Sequence, residues 1–194
     1  MKKGKVKFIQ KEVLSHHWYL YQRISFELEV APGVWVSQRR EVLDRGNGAA
    51  ILLYNKKAKT VILTKQFRLP SYLNGNSTGE LIEVCAGSIE DESPEENIIR
   101  ETEEETGYKI SNPKKVFEAY MSPGAVTEVI HFFLAEYEAD HKVGLGGGNP
   151  DETEHIEVLE MSFSQASQLM NQGEIKDAKT IMLLQYAQIH KLIE

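Results

Sequence analysis

Two glutamates, Glu101 and Glu105, lie one turn apart on a predicted helix and could bind one metal ion together. The sequence predicts this helix over Pro94–Thr106, because an S-x-x-E capping box opens at Ser93 and Gly107 stands where a left-handed cap ends a helix. Residues at i and i+4 project from the same helical face. Magnesium is the expected ion, because it prefers oxygen ligands and commonly bridges carboxylates to substrate phosphates.

The last two turns of this helix are crowded with carboxylates, although the helix macrodipole is also negative at that end. Each anion there costs roughly 0.3–1 kcal/mol, which a bound cation would offset. Arg100 and Glu104, also at i and i+4, fall on a neighbouring strip. We expect them to pair and to leave Glu101 and Glu105 available to the metal. The alternative is a solvated acidic face that binds nothing.

Composition bounds the class of protein. The 194 residues are 41% hydrophobic, which is enough for one domain with a core, or for one domain with an appended subdomain. A net charge of -7 argues against nucleic-acid and acidic-membrane binding. Cys85 is the only cysteine, so no internal disulfide can form. No signal peptide is recognisable, and the apolar runs are far shorter than the ~20 residues that span a bilayer. We therefore expect a cytoplasmic protein.

Hydrophobic periodicity predicts an α+β fold. Residues 20–30 alternate between apolar and polar side chains, and Pro32-Gly33 supplies a turn to a second strand. Apolar runs at 49–54 and 60–67 are typical of strands covered on both faces. The remaining pattern predicts strands over 80–87, 114–121, 129–139 and 155–161, loops over 69–79 and 140–152, and helices over 162–172 and from about 177. We expect an N-terminal antiparallel β-hairpin region, 1–45, and a second domain, 46–194, in which helices flank a mixed sheet.

The stretch Gly87 to Tyr108 resembles the Nudix box, in which Gly, five residues, Glu and seven residues precede Arg-Glu-x-x-Glu-Glu-x-Gly. The matching residues are Gly87, Glu92, Arg100, Glu101, Glu104, Glu105 and Gly107. Only four residues separate Gly87 from Glu92, and Thr102 replaces the usual aliphatic residue. The resemblance implies a Nudix fold, an α/β/α sandwich, whose loop-helix-loop binds magnesium for diphosphate hydrolysis.

The resemblance extends over nearly the whole chain to Nudix enzymes that act on nucleoside-diphosphate sugars, and the GDP-mannose hydrolase branch is the most similar. It is carried by REVLDRGNGAAILLYN, QFRLPSYLNGN, GELIEVCAG, YMSPGAVTEVIHFF, the GGG loop and GEIKDAKT. The metal ligands that it implies are the Ala86 carbonyl, Glu101, Glu105 and Glu154, with Glu128 close by. The substrate-binding residues that it implies are Trp18, Arg39, Arg40, Glu41, Arg68, Ala86, Gly87, Ser88, Glu128 and Lys179.

The implied reaction is attack of a metal-activated water on one phosphorus of a P-O-P bridge, releasing a nucleoside monophosphate and a sugar 1-phosphate. Magnesium is the implied cofactor, with manganese as a substitute. Glu152 matches the general base of related ADP-ribose hydrolases and, with Glu101 and Glu105, completes the implied catalytic set. The glycine run Gly146–Gly148 ahead of it is expected to act as a flexible lid.

The same resemblance implies a homodimer with exchanged N-terminal strands, in which Trp18 and Arg39, Arg40 and Glu41 contribute partly across the interface. The expected substrate is GDP-mannose. Two alternatives remain open: an ADP-ribose pyrophosphatase, and a non-catalytic sensor that binds a nucleotide sugar. The intact acidic pairs on the helix argue against the sensor, because a binding module has no need of a full metal set.

Overall fold

The structure is a computed structural model in which residues 5–149 and 155–193 are described. Its strands are β1 (Val6–His16), β2 (Leu20–Ala31), β3 (Val34–Asp44), β4 (Gly48–Asn55), β5 (Thr60–Phe67), β6 (Glu80–Glu83), β7 (Cys85–Ser88), β8 (Lys114–Tyr120), β9 (Val129–Glu136) and β10 (Glu157–Ser162). Its α-helices are α1 (Leu69–Leu73), α2 (Pro94–Thr106), α3 (Phe163–Asn171) and α4 (Ala178–Ile189). A 3-10 turn spans Ala139–His141. No helix within these described ranges is both long and apolar enough to cross a membrane.

The chain divides into two compact units. The first contains the chain up to Asn47 together with Tyr120–Val129, and the second contains Gly48–Ala119 and the chain from Ile130 onward. In the first unit β1, β2 and β3 form an antiparallel sheet in that order. The later segment joins it through Leu43, whose N–H donates to the Ala125 carbonyl at 2.8 Å and whose carbonyl accepts from Thr127 at 3.1 Å. The division of the sequence into 1–45 and 46–194 stays a prediction.

The first unit's sheet has one apolar face and one polar face, as the alternation in 20–30 predicts. Residues directly opposite each other on paired strands share a face. The register places Leu28 between Val6 and Val36, and Phe8 beside Phe26. The polar face carries Lys7, Glu12, Arg23, Glu27, Arg39 and Glu41. No residue of these three strands is buried, so nothing within residues 5–149 and 155–193 fully covers the apolar face.

The second unit is built on a mixed sheet with the strand order β10-β5-β4-β9-β8, and β6 and β7 extend it by pairing with β5 and β4. The β4–β9 pair is parallel. Ile51 packs in one cluster with Ile98 of α2, whereas Leu52 points to the other face, where α4 contacts β4. Both side chains are completely buried. The expectation that β4 is covered on both faces is confirmed, and the layers are helix, sheet and helix.

Helix α2 has the predicted bounds. Ser93 accepts the Glu96 N–H at 3.2 Å, the Glu96 carboxylate accepts the Ser93 N–H at 3.0 Å, and Gly107 closes the helix at φ 75°. The capping box and the left-handed glycine therefore fix the helix at both ends.

Three local predictions differ from the structure. The segment 80–87 is two strands, because the Val84 N–H leaves the ladder and donates to the Thr180 hydroxyl at 2.7 Å, after which the chain changes partner from β5 to β4. The predicted loop 69–79 begins with the short helix α1, which has a proline in its first turn. Strand β9 also ends earlier than expected, at Glu136.

Candidate metal and phosphate site

The two glutamates of α2 lie against strand β7. The Ala86 N–H donates to Glu105 Oε2 at 3.3 Å, and Glu105 is only 2% exposed. A Cβ at Gly87 would stand 2.2 Å from Cδ and Oε1 of Glu101, so a side chain there would displace that carboxylate. The helical spacing thus brings Glu101 and Glu105 to adjacent residues of one short strand. Burial raises the pKa of the neighbouring Cys85 thiol well above its ordinary value, and both carboxylates add to this effect.

These residues fit a hard divalent cation. The atoms that could bind the metal are the carboxylate oxygens of Glu101 and Glu105, which lie beside the backbone of Ala86. Oxygen ligands suit magnesium or manganese. No cluster of three or more acidic, histidine or cysteine side chains that could hold a metal occurs within residues 5–149 and 155–193. Glu152 and Glu154, the base and the further ligand expected from the sequence, lie outside the described residues.

Arg100 holds the acidic residues of the box together. Its guanidinium donates to Glu104 at 2.7 Å, as expected for the i, i+4 pair, and also to Glu92 at 2.7 Å and to Glu101 at 2.9 Å. The expected pair of Arg100 and Glu104 is present, and Arg100 also contacts Glu101; metal binding by Glu101 and Glu105 stays a prediction. The guanidinium carries five N–H donors and so can serve three carboxylates at once. The hydrogen bond to Glu92 and the charges of Glu101 and Glu104 raise the pKa of Arg100, although burial opposes this.

Glu92 closes the loop that precedes the helix. It accepts hydrogen bonds from Arg100 and from Asn97 Nδ2, the latter at 2.9 Å, and these bonds lower its pKa. Asn97 also donates to the Ser88 carbonyl at 2.9 Å. Both ends of the shortened loop are thus tied to one buried asparagine. Thr102 is also buried, and its hydroxyl donates to the Ile98 carbonyl at 2.6 Å, which satisfies the polar atom that replaces an aliphatic one.

The C-terminal end of α2 has partners besides any cation. The N–H of Gly147 donates to the Glu105 carbonyl at 2.9 Å, and that of Gly148 donates to the Glu104 carbonyl at 3.1 Å. A Cβ at Gly146 would stand 2.5 Å from the Glu105 carbonyl oxygen. The glycine run expected to be a flexible lid is therefore hydrogen-bonded to the helix. Its donors satisfy carbonyls that a helix end otherwise leaves open.

A second cluster contains Arg68 and Lys179, two of the expected substrate-binding residues. Arg68 donates through Nε and Nη2 to the two oxygens of Glu83, each at 2.8 Å. Lys179 lies 3.6 Å from Glu83 and 2.7 Å from Asp177. Burial opposes the charge of Arg68, but the hydrogen bonds to Glu83 and the fields of Glu105 and Asp177 raise its pKa above the ordinary value. Of the two metal-site carboxylates, Glu105 is the one that contributes to this rise.

Glu83 is the site residue that sequence reasoning missed. It is 2% exposed on β6, where its neighbours in sequence are Leu81, Ile82 and Val84. A carboxylate within an apolar strand needs a cationic partner if it is to be buried. That signal, present in the sequence, could have predicted its pairing with the arginine that follows β5.

The expected site residues of the first unit are not gathered at one point. Trp18 is 86% exposed in the turn between β1 and β2. Arg39 and Glu41 lie on the polar face of the sheet, whereas Arg40 lies on the apolar face. Glu41 accepts from the Tyr21 hydroxyl at 2.5 Å and from Arg23 at 3.1 Å, which lowers its pKa. Glu128 also belongs to this unit, where it pairs with Arg45 at 3.3 Å.

Comparison with known proteins agrees with this geometry. The family model described as NUDIX domain matches residues 44–184, which include the capped helix and its carboxylates. The chain belongs to the Nudix family. It is a Nudix hydrolase, and enzymes of this family generally use a divalent metal ion. The Nudix helix is α2.

The N-terminal part of this Nudix hydrolase matches a second family model, described as GDP-mannose pyrophosphatase NudK N-terminal domain, over residues 5–43. A protein named GDP-mannose pyrophosphatase from Yersinia enterocolitica is 54% identical over 190 residues, 98% of each chain. Proteins of the same name from Pectobacterium atrosepticum and Yersinia pestis are 54% identical over 182 residues and 53% identical over 186 residues. These alignments cover 94% and 96% of this chain and 93% of each relative.

Proposed function

We propose that this Nudix hydrolase cleaves the diphosphate bridge of GDP-mannose and releases GMP and mannose 1-phosphate. The observation that carries the proposal is the 54% identity over 98% of both chains with a protein named GDP-mannose pyrophosphatase. The match of residues 5–43 to the N-terminal model supports it, because this match lies outside the general NUDIX domain.

The site is consistent with diphosphate chemistry. A bound magnesium or manganese ion would neutralise charge on the phosphoryl oxygens and supply an activated water. Glu101 and Glu105 would hold that ion beside the Ala86 carbonyl. Arg100 orients Glu101 through the 2.9 Å contact, and Arg68 offers a cation near Glu105. The Ala86, Gly87 and Ser88 backbone would lie along the substrate.

The remaining assignments rest on the resemblance alone. We propose Glu154 as a further metal ligand, Glu128 as a residue close to the metal, and Glu152 as the base that takes the proton of the attacking water. A Glu152→Gln variant should then lose turnover and keep metal affinity, as measured by manganese binding. Loss of both would assign it to the metal site instead.

We also propose a homodimer with exchanged N-terminal strands, in which Trp18, Arg39, Arg40 and Glu41 reach the partner's site. The apolar face of the first unit's sheet supports it, since Phe8 is 67% exposed and Val36 is 42% exposed. A Phe8→Glu variant should sediment as a monomer. Lys7→Glu, one residue earlier and on the opposite face, should leave the assembly intact. A wild-type monomer at micromolar concentration would refute the proposal.

Incubation with GDP-mannose, ADP-ribose and other nucleotide sugars, with and without magnesium, tests the substrate. We expect magnesium-dependent release of GMP to exceed release of AMP, as measured by phosphorus NMR. Faster release of AMP from ADP-ribose would select the alternative substrate. Release from no substrate, with GDP-mannose still binding, would indicate a sensor.

A further inference from the structure

We propose that Glu83 is a positioning residue that holds Arg68 and Lys179 as one preorganised pair of cations for the diphosphate of the substrate. The inference rests on the proposed function, and it adds a residue to that site. Arg68 and Lys179 are the groups that would touch substrate, whereas Glu83 acts through them.

The burial of Glu83 shows why its partners are required. The residue is 2% exposed, and an ionised carboxylate at such a position is costly unless it is paired and hydrogen-bonded. Arg68 meets both of its oxygens at 2.8 Å in a bidentate arrangement, the strongest geometry available to this pair. Glu83 therefore fixes the plane of the guanidinium.

Lys179 is held from two directions. Asp177 accepts its ammonium at 2.7 Å, and Glu83 lies 3.6 Å from the same nitrogen. Asp177 is itself fixed, because its other oxygen accepts the N–H of Thr180 at 2.9 Å and caps α4. The Thr180 hydroxyl receives the N–H of Val84, the residue after Glu83, at 2.7 Å. The beginning of α4 and the end of β6 thus form one rigid cluster.

The bidentate contact leaves part of Arg68 for a ligand. Nε and Nη2 face Glu83, while within the described part of the chain Nη1 has no hydrogen-bond partner, and the side chain is 39% exposed. A guanidinium already fixed in place loses less conformational entropy when it binds phosphate. The charge of Glu105, one of the two metal-site carboxylates, also favours the charged form of Arg68 and raises its pKa.

The net charge of this cluster and the orientation of its cations lead to opposite predictions for the Glu83→Gln variant. The cluster contains two cations, Arg68 and Lys179, and two anions, Glu83 and Asp177, so Glu83 removes positive charge from the site. If only charge mattered, Glu83→Gln would strengthen anion binding. If the orientation of Arg68 matters, the same variant would weaken anion binding, because the bidentate contact that orients the guanidinium is lost.

The first experiment measures binding of GDP to the metal-free protein by calorimetry, with wild type, Glu83→Gln, Arg68→Ala and the double variant. We expect Glu83→Gln to weaken GDP binding at least about 10-fold. The double variant should bind no more weakly than Arg68→Ala, since Glu83 acts through Arg68. Glu80→Gln, on the same strand and exposed, is the matched control and should bind as wild type does. Unchanged or tighter binding by Glu83→Gln would overturn the proposal, as would multiplicative losses in the double variant.

Steady-state kinetics on the magnesium-loaded enzyme supplies the second readout. Glu83→Gln should raise KM more than it lowers kcat, while manganese affinity stays unchanged, because Glu101 and Glu105 are intact. If Glu83→Gln does not fold, Arg68→Lys carries the test. It keeps the charge and loses the fork, so equal GDP affinity would refute the proposal. GDP binding remains measurable even if the wild type hydrolyses no nucleotide sugar, so failure of the proposed function is distinguishable.

Discussion

The two units of this chain differ in what their burial accomplishes. In the second unit Ile51, Leu52 and Ile98 are completely buried, and the same packing places Glu83 and Glu105 at 2% exposure beside cations and backbone donors. In the first unit the three strands contain no buried residue, and polar pairs such as Arg23 and Glu41 lie at the surface.

The charged side chains of the two units therefore have different roles. An exposed pair such as Arg23 and Glu41 contributes little to the stability of the fold, because water screens it. The carboxylates of the second unit are held by a packed layer of helix and strand, so their directions are fixed. A metal or phosphate site requires fixed directions. The first unit has an exposed apolar face instead, which includes Phe8 and Val36.

The largest effect should come from the core of the second unit. Phe133→Ala removes a ring that is 2% exposed and should lower the free energy of unfolding by about 3–5 kcal/mol, measured by urea denaturation. Phe8→Ala removes the same side chain at 67% exposure and, at concentrations where the protein is monomeric, should change it by less than about 0.5 kcal/mol. Equal losses would mean that Phe8 is covered within the monomer.

Glu105→Gln should reduce magnesium-dependent turnover at least about 100-fold, because a neutral amide is a poor ligand for a hard cation. Glu103→Gln, on the exposed face of the same helix, is the matched control and should retain turnover. Manganese titration followed by paramagnetic resonance would report the loss of metal affinity directly. Full turnover by Glu105→Gln would remove it from the metal site.

Two glycines separate backbone strain from steric conflict. Gly107 and Gly173 follow helices with φ of 75° and 76°, so alanine at either costs about 1–2 kcal/mol. Only at Gly107 would the new Cβ meet backbone, 2.3 Å from the Gly144 carbonyl oxygen, whereas nothing lies within 4 Å at Gly173. Gly107→Ala should therefore lower the melting temperature further than Gly173→Ala. The same shift in both variants would show that the glycine loop yields at no cost.

The smallest effect is a pH dependence. Burial and its hydrogen bond to Glu160 raise the pKa of the Tyr137 hydroxyl, although Thr60 lowers it. A raised folded-state pKa contributes stability that is present below about pH 10, the unfolded value, and is lost as pH rises through the folded value. The free energy of unfolding of the wild type, measured by denaturation, should thus fall between about pH 10 and 12. Tyr137→Phe should lose about 0.5–1.5 kcal/mol at neutral pH and show a shallower alkaline decline. An identical decline in both proteins would assign it to other groups.

Local signals predicted most of the fold. The bounds of α2 follow from Ser93, Pro94 and Gly107, whose effects act within one turn. The division of 80–87 into two strands could not be predicted, because it depends on Thr180, 96 residues later, receiving the Val84 N–H. The contact of Arg100 with Glu101 was missed because helical spacing describes Cβ positions, and a long guanidinium reaches beyond them.

Some residues of the candidate site could also be predicted from local sequence, and others depend on distant residues. The i, i+4 spacing and the resemblance pointed to Glu101 and Glu105 of α2, and the structure places both against β7. The apolar neighbours of Glu83 indicate that it needs a cationic partner, but its partners Arg68 and Lys179 come from the end of β5 and the beginning of α4. Their coming together is a property of the tertiary fold.

The first unit is built from two separate segments of the chain, so it cannot be completed until the second segment has been synthesised. Asp44 accepts a hydrogen bond at 2.9 Å from the hydroxyl of Thr127, which is synthesised 83 residues later. The N–H of Leu43 likewise has its acceptor, the Ala125 carbonyl, only later in synthesis. At about 5–20 residues per second, this delay on the ribosome is roughly 4–17 s. Strands β1 to β3 emerge with their apolar face open throughout that interval, while β4 to β8 are still being made. A nascent chain halted before residue 120 would carry an incomplete first unit, and we expect such chains to be the ones that chaperones retain.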